Sequence, residues 1–167
     1  MVLGLSLAAL TQLHTIISLI AIATGLIAVV AFTRGSWLGS IMHTFVWTTV
    51  ATTVTGFLFP FNGFTPAIGT GIVSSLVLVV LLFALYQMKL RGGALTVFAV
   101  AAAVSLYLNL FVLVVQSFLK IPALHALAPL GKEPPFAAAQ GAVLLASIAL
   151  GYLSVKAARR RTPALAF

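Results

Sequence analysis

The chain has 167 residues, of which 62% are hydrophobic and only 6% charged, with nine Lys and Arg against a single acidic residue. An ordinary soluble domain carries roughly 25% charged residues, so this composition cannot cover a water-facing surface. The formal charge of +8 does not mark a nucleic-acid binder, because the basic residues are scattered through short connections and their only run, Arg159 to Arg161, follows the last apolar stretch.

Apolar stretches near or above about 18 residues, the length that crosses a hydrocarbon core, recur along the chain. They predict an all-α integral membrane bundle, one transmembrane domain over residues 1–167 with five spans. The first covers about 8–32 and stops at TRGSWLGS. With no positive n-region and no small-residue cleavage site ahead of Arg34, it reads as a retained span rather than a signal peptide. The second covers about 41–59 and is closed by Pro60. The third, about 66–88, begins with Thr65 as N-cap and Pro66 at the first helical position, where a missing N–H costs nothing. After KLRGG the fourth covers about 94–116, and the fifth about 135–155.

Orientation follows from lysine and arginine. An N-out, C-in arrangement puts Arg34, Lys89, Arg91, Lys156 and Arg159 to Arg161 inside and leaves only Lys120 and Lys132 outside, as the positive-inside rule favours. FPFNGFTPAIG and the 120–136 stretch KIPALHALAPLGKEPPF then form the two outer connections. Trp37 and Trp47 read as anchors near the inner interface. The fifth span offers Ala137/Gly141 and Ser147/Gly151 at the small-xxx-small spacing that lets membrane helices approach closely.

Polar side chains inside a bilayer are costly and therefore informative. Thr11, His14, Thr15 and Ser18 share one face of the first span. Thr44, Thr48, Thr52 and Thr55 run along one side of the second, where bonding to the backbone one turn earlier is their default. Ser105, Asn109 and Gln116 share a face of the fourth, and Gln140 lies one turn into the fifth. At the predicted depths His14, Ser18, Thr52, Thr55, Asn109, Gln116 and Gln140 fall together in the outer half. They define a candidate outward-facing polar pocket, or an interhelical hydrogen-bond network without a ligand.

The 120–136 stretch lies above these residues. Its apolar positions Phe118, Leu119, Ile121, Leu124, Leu127 and Leu130 predict a short interfacial helix that begins near Pro122 and lies along the outer surface. Lys120, His125 and Glu133 would sit at its polar margin as an outer lid. Glu133, the sole acidic residue, stands just before the fifth span, where its charge suits the helix dipole.

Three histidines raise b-type haem as a cofactor. His14 and His43 should differ in depth by roughly 15 Å, too far for two axial ligands facing each other across about 4 Å. Pairing His14 with His125 requires the outer loop to fold inward. A metal site from His14, His125 and Glu133 lacks H-x-x-x-H or H-E-x-x-H spacing. No cysteine is present, which removes thiol chemistry and disulfides. With one carboxylate, no phosphate-cradling glycine loop and no G-x-S-x-G, the residues offer no catalytic set.

The stretches TTVATTVTGFLFPFNGFTPAIGTGI and LYLNLFVLVVQSFLKIPALHALAPLGKEPPFAAAQ resemble a family of small multi-spanning proteobacterial membrane proteins without an assigned activity. The resemblance implies residence in a bacterial inner membrane. The functional expectations are a non-enzymatic accessory or assembly subunit of a larger membrane complex, with the lipid bilayer and other subunits as partners; a binding protein for a small or lipophilic ligand such as a quinone or lipid; or a haem b electron carrier.

Overall fold

A computed structural model describes residues 6–60 and 65–161, with Gly4 and Gly63 besides. The described residues form helices and connections and no strand. They comprise α1 (Leu7–Thr33), α2 (Gly39–Phe57), α3 (Pro66–Leu82) running into a π-helical turn (Phe83–Gln87), α4 (Ala94–Lys120), the short α5 (Pro122–Leu127) and α6 (Pro134–Arg161). Four of these, α1, the continuous Pro66–Gln87, α4 and α6, are long and apolar enough to cross a membrane. α2 has 19 residues, and His43 and its threonines dilute its apolar character.

Local chemistry sets most of the helix ends. The Ser6 hydroxyl caps α1 by accepting the Ala9 N–H at 3.2 Å. The Thr65 hydroxyl caps α3 by accepting the Ile68 N–H at 3.3 Å, with Pro66 at the first helical position. At the far end of α3 the hydrogen bond lengthens by one residue, from the Met88 N–H to the Phe83 carbonyl at 3.0 Å. Lys89 and Leu90 follow with left-handed backbone, φ 50° and 56°, and turn the chain toward α4. α4 and α6 outrun the apolar spans read for them, α4 by a further turn to Lys120 and α6 through its terminal arginines.

The core centres on α4, which packs against α1, α3 and α6, while α1 and α2 form a closely packed hairpin. Phe45, Phe98, Leu81, Leu95 and Leu106 are fully buried there with Val29, Phe32 and Met42. Gly25 permits the closest crossing: a Cβ there would stand 2.7 Å from the Phe45 ring and 3.0 Å from Leu106. α6 approaches α4 through small residues, and a Cβ on Gly151 would lie 3.7 Å from Ala103. Gly141 faces open space, so of the two small-xxx-small pairs only Ser147/Gly151 lies at a helix contact.

Two ends of the bundle follow from these contacts. Arg161, at the end of α6, lies over the Phe32 ring at 5.0 Å, and Trp37 packs on Phe32 and Phe98 at 6.0 and 5.7 Å. The Trp47 indole donates to the Tyr86 hydroxyl at 3.0 Å. The connections bearing Arg34, Lys89 and Arg91 thus share one end with the α6 arginines. Glu133, Lys120 and α5 occupy the other.

A candidate polar seam beneath the α5 connection

His14 and Ser18 stand one turn apart on α1 and meet α2 at matching depth. The His14 Nδ1 lies 2.8 Å from the Thr55 Oγ1, and the Ser18 hydroxyl reaches the Thr52 Oγ1 at 3.4 Å. Thr55 already donates its only O–H to the Ala51 carbonyl at 2.7 Å. It therefore accepts from His14, which fixes the imidazole in the Nδ1–H tautomer and leaves Nε2 as an acceptor. That nitrogen makes no hydrogen bond among the described residues. Phe59 stacks edge-on against the ring at 5.4 Å, and Lys120 lies within electrostatic reach of it.

One level deeper, the Asn109 amide of α4 donates to the Thr49 Oγ1 of α2 at 3.1 Å. Thr49 is the buried threonine of α2, 2% exposed. The stripe drawn through Thr44, Thr48, Thr52 and Thr55 passes it by, because at 100° per residue it sits about 60° beyond Thr52. Its partner Asn109 was the available signal. Thr44, Thr48 and Thr55 bond carbonyls one turn back, and Thr11 and Thr15 do the same on α1.

The remaining sequence-derived residues do not converge. Gln140 donates to the Phe111 carbonyl at 3.2 Å and ties α6 to α4, away from His14. Gln116 is exposed and makes no hydrogen bond among the described residues, so it does not join Asn109. A single pocket built from all seven residues is not what forms. In its place are two separate cross-links from α2, to α1 and to α4. Two grooves lie elsewhere, along α3 and α4, and neither is lined by any of the seven.

Of the lid residues, His125 is exposed on α5 and Lys120 is exposed at the end of α4. Phe118 and Phe136 pack edge to face at 5.4 Å and join α4 to α6 beneath the connection. Phe61, Asn62 and Phe64, in the other connection expected at this end, lie outside the described residues. Glu133 folds its carboxylate back on its own loop, accepting the Leu130 and Lys132 N–H groups at 2.9 Å each. Its carbonyl accepts the first N–H bonds of α6, from Phe136 and Ala137. The Leu130 N–H, followed by that of Lys132, holds its carboxyl below the ordinary glutamate value of 4.5.

His43 sits near the start of α2, its Nδ1 2.8 Å from the Gly39 carbonyl and its ring 6.2 Å from that of Tyr86. It precedes Thr55, the partner of His14, by twelve residues, or about 18 Å of helix. The two histidines therefore do not share a level. Among the described residues no group of three His, Cys, Asp or Glu side chains is placed to hold a metal ion. Searches of protein-family models, curated proteins and solved structures give no match to this chain.

Proposed function

We propose that the protein is a non-enzymatic, five-span inner-membrane protein with N-out, C-in topology that serves as an accessory or assembly subunit of a larger membrane complex. α2 joins the other four helices as a span, its threonine hydroxyls satisfied by their own helix and by α1 and α4. The single observation that carries this reading is α6: none of the residues in its most apolar stretch is buried within the bundle. Leu145, Ile148 and Tyr152 are 69%, 58% and 67% exposed along it. Beyond its contacts with α4 and α1, this spanning helix presents a broad apolar face to neighbouring helices. The opposite end supports the same reading, since α5 buries none of its residues and its exposed Leu127 suits an interfacial position.

The test is extraction from native membranes in a mild detergent. Co-purification of a membrane partner at fixed stoichiometry is expected, and it should be lost when Leu145→Trp and Ile148→Trp reshape the α6 face. A monomer from native membranes, with no partner before or after substitution, overturns the proposal.

The second reading is retention of a small or lipophilic ligand, a quinone or lipid, at the His14 level. The His14 Nε2, without a hydrogen bond among the described residues, favours it, because a half-buried acceptor within electrostatic reach of Lys120 suits a ligand that offers a donor. Under this reading His14→Leu abolishes retention and leaves the bundle folded. Haem b finds less support, because His43 stands about 18 Å away along α2 and His125 is exposed on α5. A Soret band from protein expressed with ample haem would restore it.

A further inference from the structure

A groove runs between α3 and α4. It encloses about 440 Å³ and is lined by short side chains from both helices, among them Val77 and Val80 of α3 and Val97, Val100 and Val104 of α4. Two rows of valine on facing helices are too short to interdigitate fully and leave a channel where longer side chains would close the contact. Val80, Val97 and Val100 are 48%, 43% and 44% exposed. From Thr96 to Val104 the α4 wall extends about 12 Å, close to the depth of one leaflet of a hydrocarbon core about 30 Å thick.

The chemistry changes at one mouth of the groove. Thr96 lines it there, and its hydroxyl makes no hydrogen bond among the described residues. The 88–93 connection lies immediately before, with Lys89 and Arg91 both exposed. Gly92 and Gly93 have open space around them, and α4 begins there without a side-chain cap. The uncapped helix start adds a partial positive charge to two full ones. The only carboxylate side chain in the sequence, that of Glu133, sits at the other end of the bundle.

We infer that the α3–α4 groove is a binding site for one anionic phospholipid, with an acyl chain along the valines and the phosphate at Lys89, Arg91 and the Thr96 hydroxyl. The charge complementarity selects an anionic headgroup, and the apolar channel above it selects a lipid over a soluble phosphate. A flexible chain fills an irregular channel that rigid side chains leave open. This inference does not depend on the accessory-subunit reading, and the test below needs no partner protein.

The full-length protein is reconstituted in vesicles of equimolar phosphatidylcholine and phosphatidylglycerol and re-extracted in mild detergent. Retained phospholipid is then identified by native mass spectrometry. One retained lipid is expected, enriched in phosphatidylglycerol. Lys89→Gln with Arg91→Gln should lower that enrichment by up to about thirtyfold, as loss of two juxtamembrane cations predicts. Val100→Phe, at a position already facing outward, should fill the channel and reduce retention of the lipid itself. Lys156→Gln with Arg159→Gln removes the same charge from the same end but away from the groove, and should leave the enrichment unchanged. An equal loss in that control would show diffuse surface attraction and overturn the site, as would unchanged enrichment in Lys89→Gln with Arg91→Gln. Circular dichroism of each variant checks that the bundle is intact.

Discussion

Between α1 and α2, His14 and Ser18 meet Thr55 and Thr52 through side-chain hydrogen bonds. Between α4 and α6, the helices instead meet largely through Ala103, Gly151 and other small residues, with the Gln140 amide on the Phe111 carbonyl near the α5 end, and the buried Ser147 and Ser154 hydroxyls of α6 have no partner among the described residues. Both devices answer the same problem, since inside a bilayer no hydrophobic force drives helix against helix. The hydrogen-bonded seam selects a register, because a one-turn slip of about 5.4 Å separates every donor from its acceptor. The small-residue stretch around Gly151 gains dispersion from close approach and sets no register of its own, which there falls to Gln140, and its serines contribute through size rather than polarity.

The largest expected effect lies where a tight packing point adjoins the hydrogen-bonded seam. Gly25→Leu places a side chain where even a Cβ stands 2.7 Å from Phe45. It should destabilise the bundle by about 1–3 kcal/mol or more, measured by thermal unfolding in detergent. Gly151→Ala, with an ordinary 3.7 Å contact to Ala103, should be neutral or gain up to about 1 kcal/mol from helix propensity. Equal losses at both positions would erase the distinction between the seams.

Next in size is the coupling across α1 and α2. A double-mutant cycle of His14→Leu and Thr55→Val should return about 0.6 kcal/mol, and at most about 1.7. A coupling near zero would mean that the hydrogen bond contributes nothing to register. Ser147→Ala and Ser154→Ala should each stay within about 0.5 kcal/mol of the parent, since an unpaired buried hydroxyl has no hydrogen bond to lose. A loss above 1 kcal/mol from either would place a hydrogen-bond partner in the α4–α6 seam.

The smallest effect is at Glu133, which belongs to neither seam and anchors the connection above both. Its folded-state pKa lies below 4.5, so its contribution is fully present above that value. It is lost as pH falls through the lowered folded-state pKa. Hydrogen exchange at the Leu130 and Lys132 amides should therefore lose protection in acid, and Glu133→Gln should show the same loss at neutral pH. Protection independent of pH and of this substitution would remove the carboxylate from the account.

Residues whose role depends on their own helix were legible in advance. Thr65 and Pro66 announced the start of α3, and Pro122 stands at the first position of α5. The threonine back-bonds of α2 are intrahelical and follow from a local rule. Depth was legible as well, because the rise per residue is constant: His14 does meet Thr55, and His43 does lie far from both. Rotation was less accessible. Asn109 and Gln116 share a face of α4, yet only Asn109 meets α2, whose partner there is Thr49 rather than a member of the expected stripe.

Composition and periodicity by themselves determined an all-helical chain, its helix ends to within a few residues except where α4 and α6 outrun their apolar spans, and the gathering of seven of the nine basic residues at the end opposite Glu133. All three follow from local bonding, hydropathy and chain alternation, which need no knowledge of neighbours. The tertiary structure alone decided which polar residues pair, that the seven candidates divide between separate contacts, and that a valine-lined groove forms along α3 and α4. Those outcomes depend on how each helix is rotated about its axis and on which side chains are too short to fill the space between two helices. A linear pattern of residues carries neither quantity.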